Sequence, residues 1–211
     1  MNSSETVFDI IQHLKQRGVD LSKTKVIVDE DTVSATFLIY NLSGKLIGYQ
    51  YYNPNGSKSF QVYKKEFKNK VPDIESIKKI SKYYTWISDT QKGVSVYGLE
   101  TYDRHSEFLF ITEGVFDCIK IHNSGYPAIA TLTNAGSSEL KTWLKILPQK
   151  IIAICDNDDS GEKLKAAADY YYNSPNGYKD LGDAPQDIVE QFINNIVKEV
   201  SGRNKTKKLK Q

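Results

Sequence analysis

At 211 residues, 39% of them hydrophobic and 26% charged, the chain carries enough apolar material for one good core or two small ones, as a soluble globular protein does. No apolar stretch approaches the length of a bilayer span, and Met1 to Gln12 lacks the charged-then-apolar order of a secretory signal, so a membrane protein and a secreted one are excluded and a cytoplasmic location is expected. The formal net charge of +2 does not by itself announce a nucleic-acid partner, but its placement is uneven. Basic residues gather between Lys45 and Lys92 and again at Arg203, Lys205, Lys207, Lys208 and Lys210, whereas the acidic clusters fall between 100 and 190.

In chain order, Ser3 or Ser4 is expected to cap a helix with Val7, Ile10, Ile11 and Leu14 on one face, closed by Gly18. From Lys25 to Tyr52 the pattern is that of strands: Val26 to Val28, Ala35 to Tyr40, then Asn41-Leu42-Ser43-Gly44 as a hairpin turn into Lys45 to Tyr52. Ser57 to Lys82 is polar and basic with Phe60, Tyr63 and Phe67 interleaved, and a short helix is expected after Pro72. Tyr83 to Ile87 and Gly93 to Leu99 follow. From Arg104 onward strand and helix alternate, which argues for a parallel α/β unit. Its strands are Phe108 to Ile111, Ala128 to Leu132 and Ile151 to Cys155; its helices are Val115 to Asn123, Ser138 to Leu147, Gly161 to Tyr172 and, after a polar loop from Lys179 to Asp187, Ile188 to Val200. The expected organisation is an α+β, basic N-terminal subdomain over 1–104, an α/β domain over 105–200 with helices flanking a parallel sheet, and a basic disordered tail over 201–211. Cys118 and Cys155 lie in apolar surroundings and are expected to be buried thiols, no Cys/His cluster has zinc-ligand spacing, and His105 and His122 have no ligand-like company.

The chemistry resides in two acidic clusters, each placed where an apolar run ends. Thr112-Glu113-Gly114-Val115-Phe116-Asp117 follows Phe108 to Ile111, and Asp156-Asn157-Asp158-Asp159-Ser160-Gly161 follows Ile151 to Cys155. Continuous apolar runs of that length suit parallel strands buried on both faces, and ligands of open parallel sheets bind beyond the carboxyl ends of the strands. Carboxylates gathered there repel one another unless a hard cation neutralises them, and Mg²⁺ is typically held by a few carboxylates plus substrate phosphates. Taken singly, a Glu-Gly after a strand is an ordinary turn and an Asp-rich loop an ordinary helix cap. Together, Glu-Gly-x-x-Asp and Asp-x-Asp-x-x-Gly resemble the signature motifs of the toprim domain, shared by bacterial-type primases, type IA and II topoisomerases and certain nucleases.

Within the toprim families the preceding residues favour the primases. Ala35 to Tyr40 with Gly44-Lys45-Leu46-Ile47-Gly48-Tyr49 is similar to a hairpin of the catalytic core (RNA polymerase domain) of bacterial-type and phage DNA primases. Lys82-Tyr83-Tyr84, Lys92-Gly93, Tyr97-Gly98-Leu99, Gly125-Tyr126-Pro127-Ala128 and Lys179-Asp180 follow in the family's order, so the resemblance covers roughly 35–190. It implies metal-dependent nucleotidyl transfer, making short RNA primers on a single-stranded DNA template from ribonucleoside triphosphates. Glu113, Asp117, Asp156 and Asp158 would be catalytic; Glu113, Asp156, Asp158 and Asp180 would bind Mg²⁺ or Mn²⁺; Lys82, Lys92, Lys45 and Lys58 would contact nucleotide or DNA. Tyr49, Tyr51, Tyr52, Phe60 and Tyr63, among Lys58, Lys64 and Lys65, are either base-stacking platforms or the half-buried face of a hairpin.

The chain departs from a full replicative primase in three places. It shows no zinc-binding module before the core and no helicase or helicase-binding segment after it, and the further strand expected before Lys179-Asp180 is abbreviated or absent. One reading is a minimal bacteriophage primase served by separate zinc-module or helicase chains in the host cytoplasm. Another is a toprim nuclease that activates water instead of a 3′-hydroxyl. A third is a non-catalytic nucleic-acid or replisome-binding module, against which the retained Glu113, Asp156 and Asp158 argue.

Overall fold

The fold is described from a computed structural model over residues 9–57, 73–88, 94–132, 138–157 and 162–202. Helix α1 (Ile10–Gln16) begins one residue after Asp9, whose carboxylate accepts the Gln12 amide at 3.0 Å. The cap is therefore Asp9 rather than the earlier serines, because an aspartate directly before Ile10 satisfies the first-turn amides. Ile10 and Leu14, one turn apart, are both buried.

Strands β1 (Val26–Asp29), β2 (Ser34–Tyr40), β3 (Leu46–Tyr52) and β4 (Tyr83–Ile87) form an antiparallel sheet in that order. The β2–β3 turn is set by Asn41, whose side-chain oxygen accepts the amides of Ser43 and Lys45 at 3.1 and 2.9 Å, and by Gly44 at φ +75°. Alternation along β3 sends Gln50 and Tyr52 inward and Tyr49 and Tyr51 outward. Helix α2 (Ile74–Ile80), capped by Asp73, precedes β4 as the proline signal implies.

Strands β5 (Phe108–Thr112), β6 (Ala128–Ala130), β7 (Lys150–Cys155) and β8 (Tyr170–Asn173) form a parallel sheet in the order β6-β5-β7-β8. Helices α3 (Val115–Asn123) and α4 (Ser138–Ile146) make the crossovers, and α6 (Gln186–Ser201) packs on α3. Every residue of β5 is buried. Phe108 and Phe110 point into one core, with α1, the antiparallel sheet, α3 and α6; Leu109 and Ile111 point into a second, with α4. The first of these cores is shared by the two sheets: Ala35, Phe37 and Tyr52 meet Phe110, Phe116 and Ile152 in it.

The segment expected to be helical from Gly161 to Tyr172 is helical only over α5 (Glu162–Lys165). Tyr170–Asn173 is instead the fourth parallel strand, paired from Ile152↔Tyr170 to Cys155↔Asn173. Asp169 starts that ladder, donating its own amide to the Ile151 carbonyl and accepting the Ile151 amide on its carboxylate, each at 2.9 Å. Three consecutive tyrosines favour the extended backbone once that anchor exists. The additional strand is thus short but present, and it lies where the alanine-rich lead-in suggested a helix. Among the described residues, no helix is long and apolar enough to cross a membrane.

Candidate active site

In the parallel sheet the chain leaves β5 to one side, for β6, and returns to its other side, for β7, so the winding reverses between β5 and β7. In open α/β sheets such a reversal opens a crevice at the carboxyl ends of the strands. Glu113 follows β5 and Asp156 follows β7, so both half-buried residues flank that crevice. Gly114 caps α3, and Asp117 is the third residue of that helix. A Cβ at Gly114 would stand 2.5 Å from Asp117 Oδ2, so the Glu-Gly-x-x-Asp spacing needs glycine there to let the carboxylate fold back over the helix start.

Asp117 is buried, and its Oδ1 accepts the Gly182 amide at 2.7 Å. Gly182 belongs to a single 3₁₀ turn, Leu181–Asp183, which Asp180 caps by accepting the Asp183 amide at 3.0 Å. Burial foremost, then the charges of Asp180 and Asp156, push the Asp117 carboxyl up to about 8; the Gly182 amide and Arg17 pull the other way without prevailing. The carboxyl is thereby pushed toward its protonated form, with Asp180 and Asp156 acting on it through their charges. Asn157 ties the tip of β7 to the chain that returns with Asp180: its side chain donates to the carbonyls of Ser174 and Tyr178 at 3.1 and 2.8 Å, and its amide donates to the Lys179 carbonyl.

On the antiparallel-sheet side, Tyr83 lies within electrostatic reach of Asp117 and Asp180, and burial drives its hydroxyl far above the usual range. His13 shares a 2.8 Å hydrogen bond with the Tyr52 hydroxyl, and burial followed by the charges of Arg17 and Lys82 lowers its pKa. Lys82 thus lies on the α1 side of the molecule. Lys45 sits exposed at the hairpin tip, seven residues before Tyr52 and so about 23 Å along the strand at ~3.3 Å per residue. Lys58, Lys92, Phe60, Tyr63 and Asp158 lie outside the described residues. Tyr52 is 1% exposed and packs on Phe116 at 5.0 Å between ring centres, which makes it a core residue and removes it from the base-stacking set. Tyr49 and Tyr51 face outward, where Tyr49 stacks with Trp86 and Lys78 lies over both tyrosine rings.

Arg17, Gly182 and Asn157 were not legible as site residues in the sequence. Each acts through a partner distant along the chain or through its backbone, and only the Lys179-Asp180 element marks their destination. The carboxylate oxygens of Glu113, Asp156 and Asp180 are donors of the kind suited to Mg²⁺ or Mn²⁺. Among the described residues no three His, Cys, Asp or Glu side chains converge closely enough to hold an ion.

The parallel sheet, joined through one core to an antiparallel sheet, is similar in fold to solved primase catalytic cores. The comparison with solved structures makes it specific: a fragment of Aquifex aeolicus primase comprising zinc-binding and RNA polymerase domains superposes with TM-score 0.63 at 17% identity, over 90% of this chain and 55% of that one. The DnaG catalytic core matches with TM-score 0.56 at 15% identity, over 92% and 70%, and a DNA primase domain from Pseudomonas aeruginosa with TM-score 0.56 at 18% identity, over 90% and 58%. A DnaG primase catalytic domain bound to single-stranded DNA matches with TM-score 0.54 at 16% identity, over 90% and 58%. The chain spans just over half the length of the Aquifex aeolicus structure. No family model and no curated protein matches the sequence.

Proposed function

We propose that this chain is a primase-type nucleotidyltransferase: a toprim domain over 105–200, with 1–104 as its basic companion, synthesising short RNA primers on single-stranded DNA from ribonucleoside triphosphates. The observation that supports the reading is that Glu113 and Asp156 follow the ends of β5 and β7 at the winding reversal of a primase-like fold. Glu113, Asp156 and Asp158, with Asp180 beside them, would hold Mg²⁺ or Mn²⁺, which when bound neutralises triphosphate charge and polarises the α-phosphate.

The remaining steps belong to the chain's own groups. Glu113, at the tip of β5, takes the proton of the primer 3′-hydroxyl as that oxygen forms its bond to the α-phosphorus. The bond from that phosphorus to the bridging oxygen breaks at the same centre, and pyrophosphate leaves with the electron pair. Asp117, held by the Gly182 amide, keeps the Asp180 turn in place. Lys82 and Lys92 neutralise triphosphate or template charge, and Lys45 and Lys58 contact nucleotide or DNA.

The test is incubation of purified protein with single-stranded DNA, four ribonucleoside triphosphates and Mg²⁺ or Mn²⁺, beside Glu113→Ala and Asp156→Ala. Short labelled oligomers that require template and vanish in both variants are expected. Cleavage of the nucleic acid in place of synthesis would overturn the primase reading in favour of the nuclease, and binding without either reaction would leave a recognition module.

A further inference from the structure

Arg17 leaves the end of α1, in the N-terminal part of the chain, and ends in the carboxylate site. Its Nη1 donates to Asp183 Oδ1 at 2.6 Å, and its guanidinium lies over the Phe116 ring, 4.3 Å from the centroid. A Cβ built on Gly182 would meet Arg17 Nη2 and Phe116 Cβ, each at 2.8 Å, and Asp180 Oδ1 at 3.2 Å. The guanidinium is therefore wedged between the ring that precedes Asp117 in sequence and the turn whose amide Asp117 accepts. Its Nε is buried without a hydrogen-bond partner.

That arrangement is a poor exchange if its purpose is the ion pair alone. Asp183 is largely open to water, and an exposed pair contributes little to stability. A buried donor left without a partner costs more than such a pair returns. What the geometry does secure is position. A planar cation clamped on an aromatic face, with its Nη1 on an aspartate, fixes the 181–183 turn against α3, and Gly182 is the residue whose lack of a side chain lets the clamp close.

We infer that Arg17 is a positioning residue of the carboxylate site, a strut from α1 that locks the Asp180–Asp183 turn onto α3 and so sets the Gly182 amide beneath Asp117 and the place of Asp180. Its consequence for metal binding rests on the function proposed above; its consequence for the turn does not.

The experiment uses the full chain as wild type, Arg17→Gln, Arg17→Lys and Asp183→Asn, with folding checked by thermal denaturation. In metal-free protein, the Gly182 amide should exchange with solvent at least about tenfold faster in Arg17→Gln and Asp183→Asn than in wild type. The amides of Phe110 and Ile152, deep in the parallel sheet, should keep their rates. Mn²⁺ affinity should fall by about tenfold in Arg17→Gln, with partial recovery in Arg17→Lys, which keeps the charge without the planar fork. Unchanged Gly182 exchange in folded Arg17→Gln, or exchange raised equally throughout the protein, would overturn the inference. A wild type that binds no Mn²⁺ would instead overturn the metal-dependent reading, and the Gly182 rates would still decide the role of Arg17.

Discussion

Replacing Asp117 by asparagine removes a titrating group while keeping an oxygen that can accept the Gly182 amide, and the consequence for stability can be worked from the site. Burial and the neighbouring Asp180 and Asp156 raise this carboxyl from 3.8 to about 8 in the metal-free fold. Because the folded pKa lies above the unfolded one, the native state binds the extra proton between pH 4 and 8. Its stabilising contribution is complete below about pH 4 and is lost as pH rises through about 8. Full expression of that shift would be about 6 kcal/mol at ~1.4 kcal/mol per unit, comparable with the whole stability of a small domain. Water entry and relaxation relieve part of it, so about 2–3 kcal/mol should be measurable. Urea denaturation in EDTA at pH 5, 7 and 9 is the assay. Wild type should lose that much more stability between pH 5 and 9 than Asp117→Asn, since the other titrating groups are common to both. Equal pH slopes would refute the buried, proton-loaded carboxyl.

Two further outcomes follow from the packing. Phe37 is fully buried and meets Phe116 and Tyr97 edge to face at 5.5 and 6.0 Å, so Phe37→Ala should cost about 3–5 kcal/mol in denaturant titrations; a cost below 1 kcal/mol would mean that the shared core is not as described. Cys118 and Cys155 are buried and outside any disulfide, and burial pushes the Cys118 thiol well up, so neither should react with a thiol reagent in the native protein and both should react in urea; fast labelling in native buffer would contradict their burial.

Where one face or stripe of a segment decides its structure, the sequence was sufficient. Phe108 to Ile111 reads as a two-face-buried strand because every position is apolar, and Val115 to Asn123 has the bounds expected of it. The hairpin at Asn41 to Gly44 follows from residues that build turns locally. Tyr170–Asn173 failed for the opposite reason. Its lead-in of alanines favours helix, and only Asp169 meeting Ile151 across the sheet converts it to strand. The acidic motifs pointed to Glu113 and Asp156 by their places at strand ends and to Asp117 by its place in the helix that follows. The residues that hold them were silent, since Arg17 reaches Asp183 across 166 positions and Gly182 contributes a backbone amide.

The position of Asp117 shows why those supports come from so far away. A carboxyl that must be buried near two others cannot be held by its own helix alone, because the helix start offers amides but no second wall. The wall is supplied by Phe116, whose ring is packed by Phe37 and Tyr52 of the antiparallel sheet on one side and capped by Arg17 on another. The antiparallel sheet therefore supports the geometry at the ends of β5 and β7 through direct packing on α3. A loss of volume at Phe37 is felt first by the Phe116 ring, and Phe116 is covalently next to Asp117, which places the carboxylate site at the seam of the shared core.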